Sequence, residues 1–121
     1  MAYINDAAFD AALSHIETNG THLSICSSEP ANYGAIAAAE LGEKASISYT
    51  GPANGDTSGR KITIDAITDG NVTANGTATH YAIHDNSSTL LASGALTASQ
   101  VVTSGNTFTL AAFDIEIADA T

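Results

Sequence analysis

Positive charge is scarce in this chain: three Lys and Arg residues stand against 13 Asp and Glu, giving a formal net charge of -10 at pH 7. So acidic a surface repels phosphate backbones and anionic lipid headgroups, so neither direct nucleic-acid binding nor membrane-surface binding is expected. Tryptophan is absent and aromatics make up only 6%, which, with an alanine-heavy apolar fraction, predicts a thin core. Cys26 is alone. It excludes an intrachain disulfide, has no CxxC partner for zinc or redox chemistry, and reads as a structural thiol. The start "MAYINDAAFD" lacks the basic and apolar regions of a secretory leader, and no run approaches the ~18 apolar residues that span a bilayer. Without a leader, the Asn-x-Ser/Thr matches at Asn19, Asn71, Asn75 and Asn86 carry no weight as glycosylation sites.

What is present points to β-structure. The 121 residues suit a single domain spanning 1–121, able to bury roughly two-thirds of its unfolded surface. Fifteen threonines, ten glycines and several Ser/Asn clusters fit tight turns and polar strand faces. One helix is expected at about 5–18. There Phe9, Leu13 and Ile16 recur at helical spacing, Asn5 is placed to cap the first amides, and Asn19-Gly20 offers a left-handed stop.

From Thr21 the period changes to two, with Leu23 and Ile25 alternating with His22, Ser24 and Cys26 until Glu29-Pro30. Residues 31–42 are alanine-dense and read as a connection with a short helical turn. Residues 50–60 hold Gly51, Pro52, Gly55 and Gly59 and read as an exposed loop. It is not a phosphate cradle, because Arg60-Lys61 leads into a strand rather than a helix.

Strands follow through 21–118. "KITIDAI" alternates Ile62, Ile64 and Ala66 with Thr63 and Asp65, while Asp69-Gly70 and Asn75-Gly76 are hairpin-turn signals. In the last segment Phe113, Ile115 and Ile117 share a face opposite in phase to Phe108 and Leu110, which places a bulge or bend at Ala111-Ala112. The expected fold is mainly β with one N-terminal helix, an antiparallel β-sandwich or barrel-like domain built as a meander or Greek key. Leu23, Ile25, Ile62, Ile64, Tyr81, Ile83, Phe113, Ile115 and Ile117 should point inward beneath the helix.

"THYAIHD" is the segment richest in functional chemistry. On a helix His80 and His84 could share a metal. The β-forming neighbours favour a strand, with His80, Ala82 and His84 on one solvated or partner-facing side. Asp85 completes no serine relay, since no Gly-x-Ser-x-Gly elbow occurs. Asn54, Asp56, Asp69 and Asn71 offer hard oxygen donors for calcium, but turns use Asn and Asp for backbone reasons alone. The expectation is therefore no catalytic, cofactor-binding or metal residue, no cofactor and no enzymatic activity.

The start "YINDAAFDAALSHI...THLSICSSEP" and the end "GTATHYAIHDNSSTLLASGALTASQVVTSGNTFTLAAFDIEI" resemble small virion proteins of tailed bacteriophages, over roughly two-thirds of the chain. His80–Ile83, Leu90–Gly94 and Val102–Thr107 are the most distinctive stretches. The resemblance implies a non-enzymatic head decoration (cement) subunit on the outer face of the major capsid lattice, made in the host cytoplasm. A tail or fibre subunit is the alternative, and a carbohydrate-binding β-module is a second. The major capsid protein is the expected partner. Strands with few charges leave edges to hide, so self-association as a closed ring, such as a trimer, is expected as well.

Overall fold

In the computed structural model, which describes residues 3–119, Asn5 opens helix α1 (Asp6–Asn19) by accepting a hydrogen bond from the Ala7 N–H at 2.8 Å. Phe9 and Leu13 are buried on one face, and Ile16 packs against the core. The helix does not end on a left-handed glycine: Gly20 lies at φ -81. Glycine is needed there for space. A Cβ would sit 2.6 Å from Ile83 Cγ2 and 2.8 Å from the Tyr49 hydroxyl, which donates to the Gly20 carbonyl at 2.6 Å.

Among the described residues, nine strands make two antiparallel sheets. The larger contains β1 (His22–Cys26), β2 (Glu40–Ala45), β5 (Ile67–Val72), β6 (Gly76–His84), β7 (Leu90–Val102) and β8 (Thr107–Leu110). Its order is β7-β6-β1-β2-β5-β8, and it curls into a half-barrel. The smaller sheet, in the order β3-β4-β9, consists of β3 (Tyr49–Asn54), β4 (Arg60–Ile64) and β9 (Phe113–Ile117). α1 packs on β3 and β4, where Arg60 Nε donates to Asp10 at 2.8 Å. The fold is thus mainly β with an N-terminal helix.

Several local expectations are corrected. Within residues 31–42 the expected short helical turn is helix α2 (Tyr33–Ala39), but the stretch also holds the start of β2, which was not expected. Thr50–Asn54 belong to β3, so the loop expected at 50–60 shrinks to a turn at 55–59. Asp69-Gly70 is no hairpin turn but lies within β5. Gly70 is there because a Cβ would overlap the Phe108 ring of the neighbouring strand. Asn75-Gly76 leads into β6, which pairs with β1 and β7 rather than with β5. The sheets are no meander, since only β1–β2, β3–β4 and β6–β7 are neighbours both in sequence and in space.

The phase change at Ala111-Ala112 marks the point where the chain leaves one sheet for the other, carrying β8 into β9. Leu23, Ile25, Ile64, Ile67, Val72, Ile83 and Phe108 fill the main core, with Tyr81, Phe113 and Ile115 half-buried against it. Ile62 is also buried. Ala66 is exposed, because β4 ends at Ile64. A second, smaller core lies on the opposite face of β1 and β6, where α2 brings Ile36 and Ala39 against Cys26 and Ala82.

Candidate functional site

β1 is the centre of the polar chemistry. Its burial is nearly continuous: Ser24 and Cys26 are as inaccessible as Leu23 and Ile25. Across to β6, His22 pairs with His84, Ser24 with Ala82 and Cys26 with His80, so these residues share the outer face of the sheet. On the other side Ser24 pairs with Glu43, and a bulge at Ile25/Cys26 brings Glu40 opposite Cys26. Residues three apart on a regular strand point to opposite faces. The bulge turns Glu40 onto the face that already carries Glu43.

Ligand atoms of Glu40, Glu43 and His84 consequently come within 4.8 Å of one another. His84 is 2% exposed, with its ring stacked on His22 at 5.7 Å and met edge-on by Tyr33 at 5.6 Å. Its Nε2 lies 2.9 Å from Ser24 Oγ, and Ser24 Oγ donates to Glu40 through a short hydrogen bond. The Asn86 N–H donates to Nδ1 at 3.1 Å. His22 Nε2 stands 4.0 Å from Glu43 Oε1.

These contacts fix where the protons sit. A backbone N–H can only donate, so Nδ1 is the acceptor nitrogen and the neutral ring carries its proton on Nε2. His84 then donates to Ser24, and Ser24 donates to Glu40. In a serine nucleophile the hydroxyl proton runs toward the imidazole; here it runs away from it. Ligation of a cation through Nε2 would have to remove the proton that this arrangement places there. The wiring suits a neutral, hydrogen-bonded imidazole. Among the described residues, no buried side-chain N or O lacks a partner.

Burial lowers the His84 pKa below the ordinary imidazole value, with His22 adding to the effect and Glu43 and Asp85 opposing it. Burial raises that of Glu40, which the Ser24 hydrogen bond counters and Glu43 reinforces. Cys26 is pushed up to about 11 by burial and by the Glu40 charge, so it stays a thiol at neutral pH.

The expectation that His80 and His84 share a solvated face is half corrected. Both lie on the outer face, but there His84 is buried, because α2 and the stacked His22 cover it. His80 is half-buried and hydrogen-bonded to the Thr79 hydroxyl at 2.9 Å. Asp85 is a turn residue: its Oδ1 accepts from the amides of Ser87, Ser88 and Thr89 at 2.9–3.0 Å. Those hydrogen bonds hold its pKa down to about 2.

The calcium candidates do not converge. Asn54 ends β3 and Asp56 lies in the β3–β4 turn, where they engage Arg60 and Lys61, whereas Asp69 and Asn71 lie on β5 in the other sheet, with Asp69 on Lys44. The residues missed from the sequence are His22, Ser24, Glu40 and Glu43. The first two were legible as the polar phase of β1. The glutamates belong to β2, which the alanine-rich stretch concealed.

Two wider surface features stand beside this cluster. All three cationic side chains are spent internally: Lys44 on Asp69, Arg60 on Asp10, and Lys61 on Asp56 and Asp114. β7, the longest strand, pairs among the described residues only with β6 and has no charged residue. Ala78 pairs with Gln100 but His80 with Ala95, so two steps along β6 match five along β7 and residues 96–99 form a bulge. A groove of about 380 Å³ lies between this bulge and the β8–β9 crossing, lined by Tyr81, Leu96, Leu110 and Phe113 among others.

No protein-family model, curated protein or solved structure matches the chain.

Proposed function

We propose that this chain is a non-enzymatic structural subunit of a tailed-bacteriophage particle, a decoration protein that covers the outer surface of the major capsid lattice and stabilises the head. The observation that carries this reading is β7. An uncharged strand of 13 residues, hydrogen-bonded on one side only among the described residues and with the 84% exposed Val101 next to its last residue, offers a backbone edge for partner strands. The bulge at 96–99 breaks that edge, so docking falls on 90–95, where the pairing to β6 is regular between Ala92 and Ala95. With every Lys and Arg neutralised within the chain, the outward field is negative, and the favoured partner surface is basic. The resemblance noted in the sequence supplies the particle.

The test has two arms. In a cryo-EM map of purified particles, the expected result is density for the chain on the capsid exterior. Density in the tail would move the assignment to a tail subunit, and absence from the particle would overturn both. In the second arm, an Ala95→Lys charge on the exposed side of β7 should reduce particle occupancy at an unchanged melting temperature. Full occupancy in that variant would remove β7 from the interface.

A further inference from the structure

The turn between β6 and β7 divides its amides among three acceptors, and that of Asp85 goes to the Thr89 carbonyl at 3.2 Å. Asp85 Oδ1 takes those of Ser87, Ser88 and Thr89. The Asn86 amide, on a residue held at φ 59, goes to His84 Nδ1. On the far side of the ring, Nε2–H is committed to Ser24 Oγ, whose own proton is committed to Glu40. The ring therefore has one open protonation position, and it already faces a donor.

We propose that His84 is a proton-operated latch for the β6–β7 turn: a proton taken from solvent can only settle on Nδ1, against the Asn86 N–H, and it releases that amide and the turn at 85–89. Two donors cannot share the position, so the imidazolium must turn to another acceptor or the backbone must move. The Asp85 carboxylate, next along the chain, already serves three amides through one oxygen. The groups facing the ring from the packed elements act in both directions. Glu40 and Glu43 on β2 and Asp85 in the turn favour the imidazolium. His22 on β1 and the covering Tyr33 ring on α2 favour the neutral form, the first by charge when protonated and the second by excluding water. The turn feeds directly into β7, whose Leu90 pairs with His84, so the first residues of that strand move with the latch. The inference rests on the turn geometry alone and stands apart from the particle assignment.

Long-range ¹H–¹⁵N correlation spectra of the histidine rings, recorded with amide spectra from pH 8 to pH 4 on the whole protein, test it. At pH 8 the expected pattern for His84 is a protonated Nε2 and an acceptor Nδ1. On acidification, the Asn86 amide should lose its hydrogen-bonded shift, and the Ser87–Thr89 amides should move, at the midpoint of the His84 ring and not at that of His22. In His84→Gln this shared midpoint should disappear, while His22→Gln should keep it. Should His84→Gln fail to fold, the unaltered protein decides alone. A protonated Nδ1 at pH 8, an Asn86 amide that stays put while His84 titrates, or a His84 still neutral at pH 4 would each overturn the latch.

Discussion

The two faces of β1 are equally dry and are built on opposite principles. Toward the second sheet, Leu23 and Ile25 meet Ile64, Ile83 and Phe108 in a core that needs only volume and shape. Toward α2, Ser24 and Cys26 lie as deep, but the face is closed by the relay from His84 through Ser24 to Glu40, beside Ile36, Ala39 and Ala82. An apolar core loses stability in proportion to what is removed. A polar one also leaves an orphan, because each buried donor or acceptor stripped of its partner keeps its desolvation cost.

The largest effect should come from the apolar side. Phe108 is 2% exposed and rests on the space left by Gly70; Phe108→Ala should cost about 3–5 kcal/mol in denaturant-induced unfolding. Against a domain stability of roughly 5–15 kcal/mol, that leaves a marginal fold. A loss under about 1 kcal/mol would mean that β8 is not part of the main core.

Next comes the relay. Ser24→Ala removes one oxygen but orphans the His84 Nε2–H, and it should cost about 1–3 kcal/mol. In a double-mutant cycle with Glu40→Gln, the two losses should be non-additive, since both act on one chain of hydrogen bonds. Strict additivity would break the relay into unrelated contacts.

A smaller change should follow pH. His84 resists in the fold a proton that it accepts when unfolded, so its contribution is complete above the ordinary imidazole value of 6.5 and is lost as pH falls below it. Glu40 works the other way. Its raised pKa favours the fold in acid, and that contribution is lost as pH rises from 4.5. Asp85, held at about 2, adds stability above 3.8 that disappears as pH falls toward 2. Melting temperatures should therefore fall first in the histidine range, and His84→Gln should flatten that limb. An unchanged slope in the variant would assign it to another group.

The smallest effect belongs to the β3–β4 turn, where exposed Thr57 has no side-chain hydrogen bond among the described residues; Thr57→Ala should shift stability by no more than about 0.5 kcal/mol. Its neighbours are less free than an open loop implies. Asp56 is tied to Lys61, and Ser58 Oγ accepts from the Asp119 amide at 3.1 Å.

Period-two alternation identified the strands and the inward residues of β1, β4 and β6, and the phase slip at Ala111-Ala112 located the crossing between sheets. Alternation reports which residues differ in polarity, not whether the polar face is wet. That is why His84 was assigned to a solvated or partner-facing side when α2 and a neighbouring histidine cover it. Turn chemistry misled in a related way. Asp69-Gly70 has the composition of a hairpin turn, but the glycine answers to the Phe108 ring from a strand nearly forty positions later, a demand that no local pattern carries. β2 was hidden because Glu40–Ala45 follows an alanine run, and its bulge, which aims both glutamates at one face, has no sequence signature.

The claim that the outer face of β1 and β6 is buried around a neutral histidine is tested most directly by the rate at which diethyl pyrocarbonate modifies each imidazole in the native protein, read by peptide mass spectrometry. His15 is exposed on α1 and His84 is 2% exposed. The account predicts rapid modification of His15 and a His84 that stays protected until the protein unfolds. Modification of His84 at the rate of His15 would contradict it.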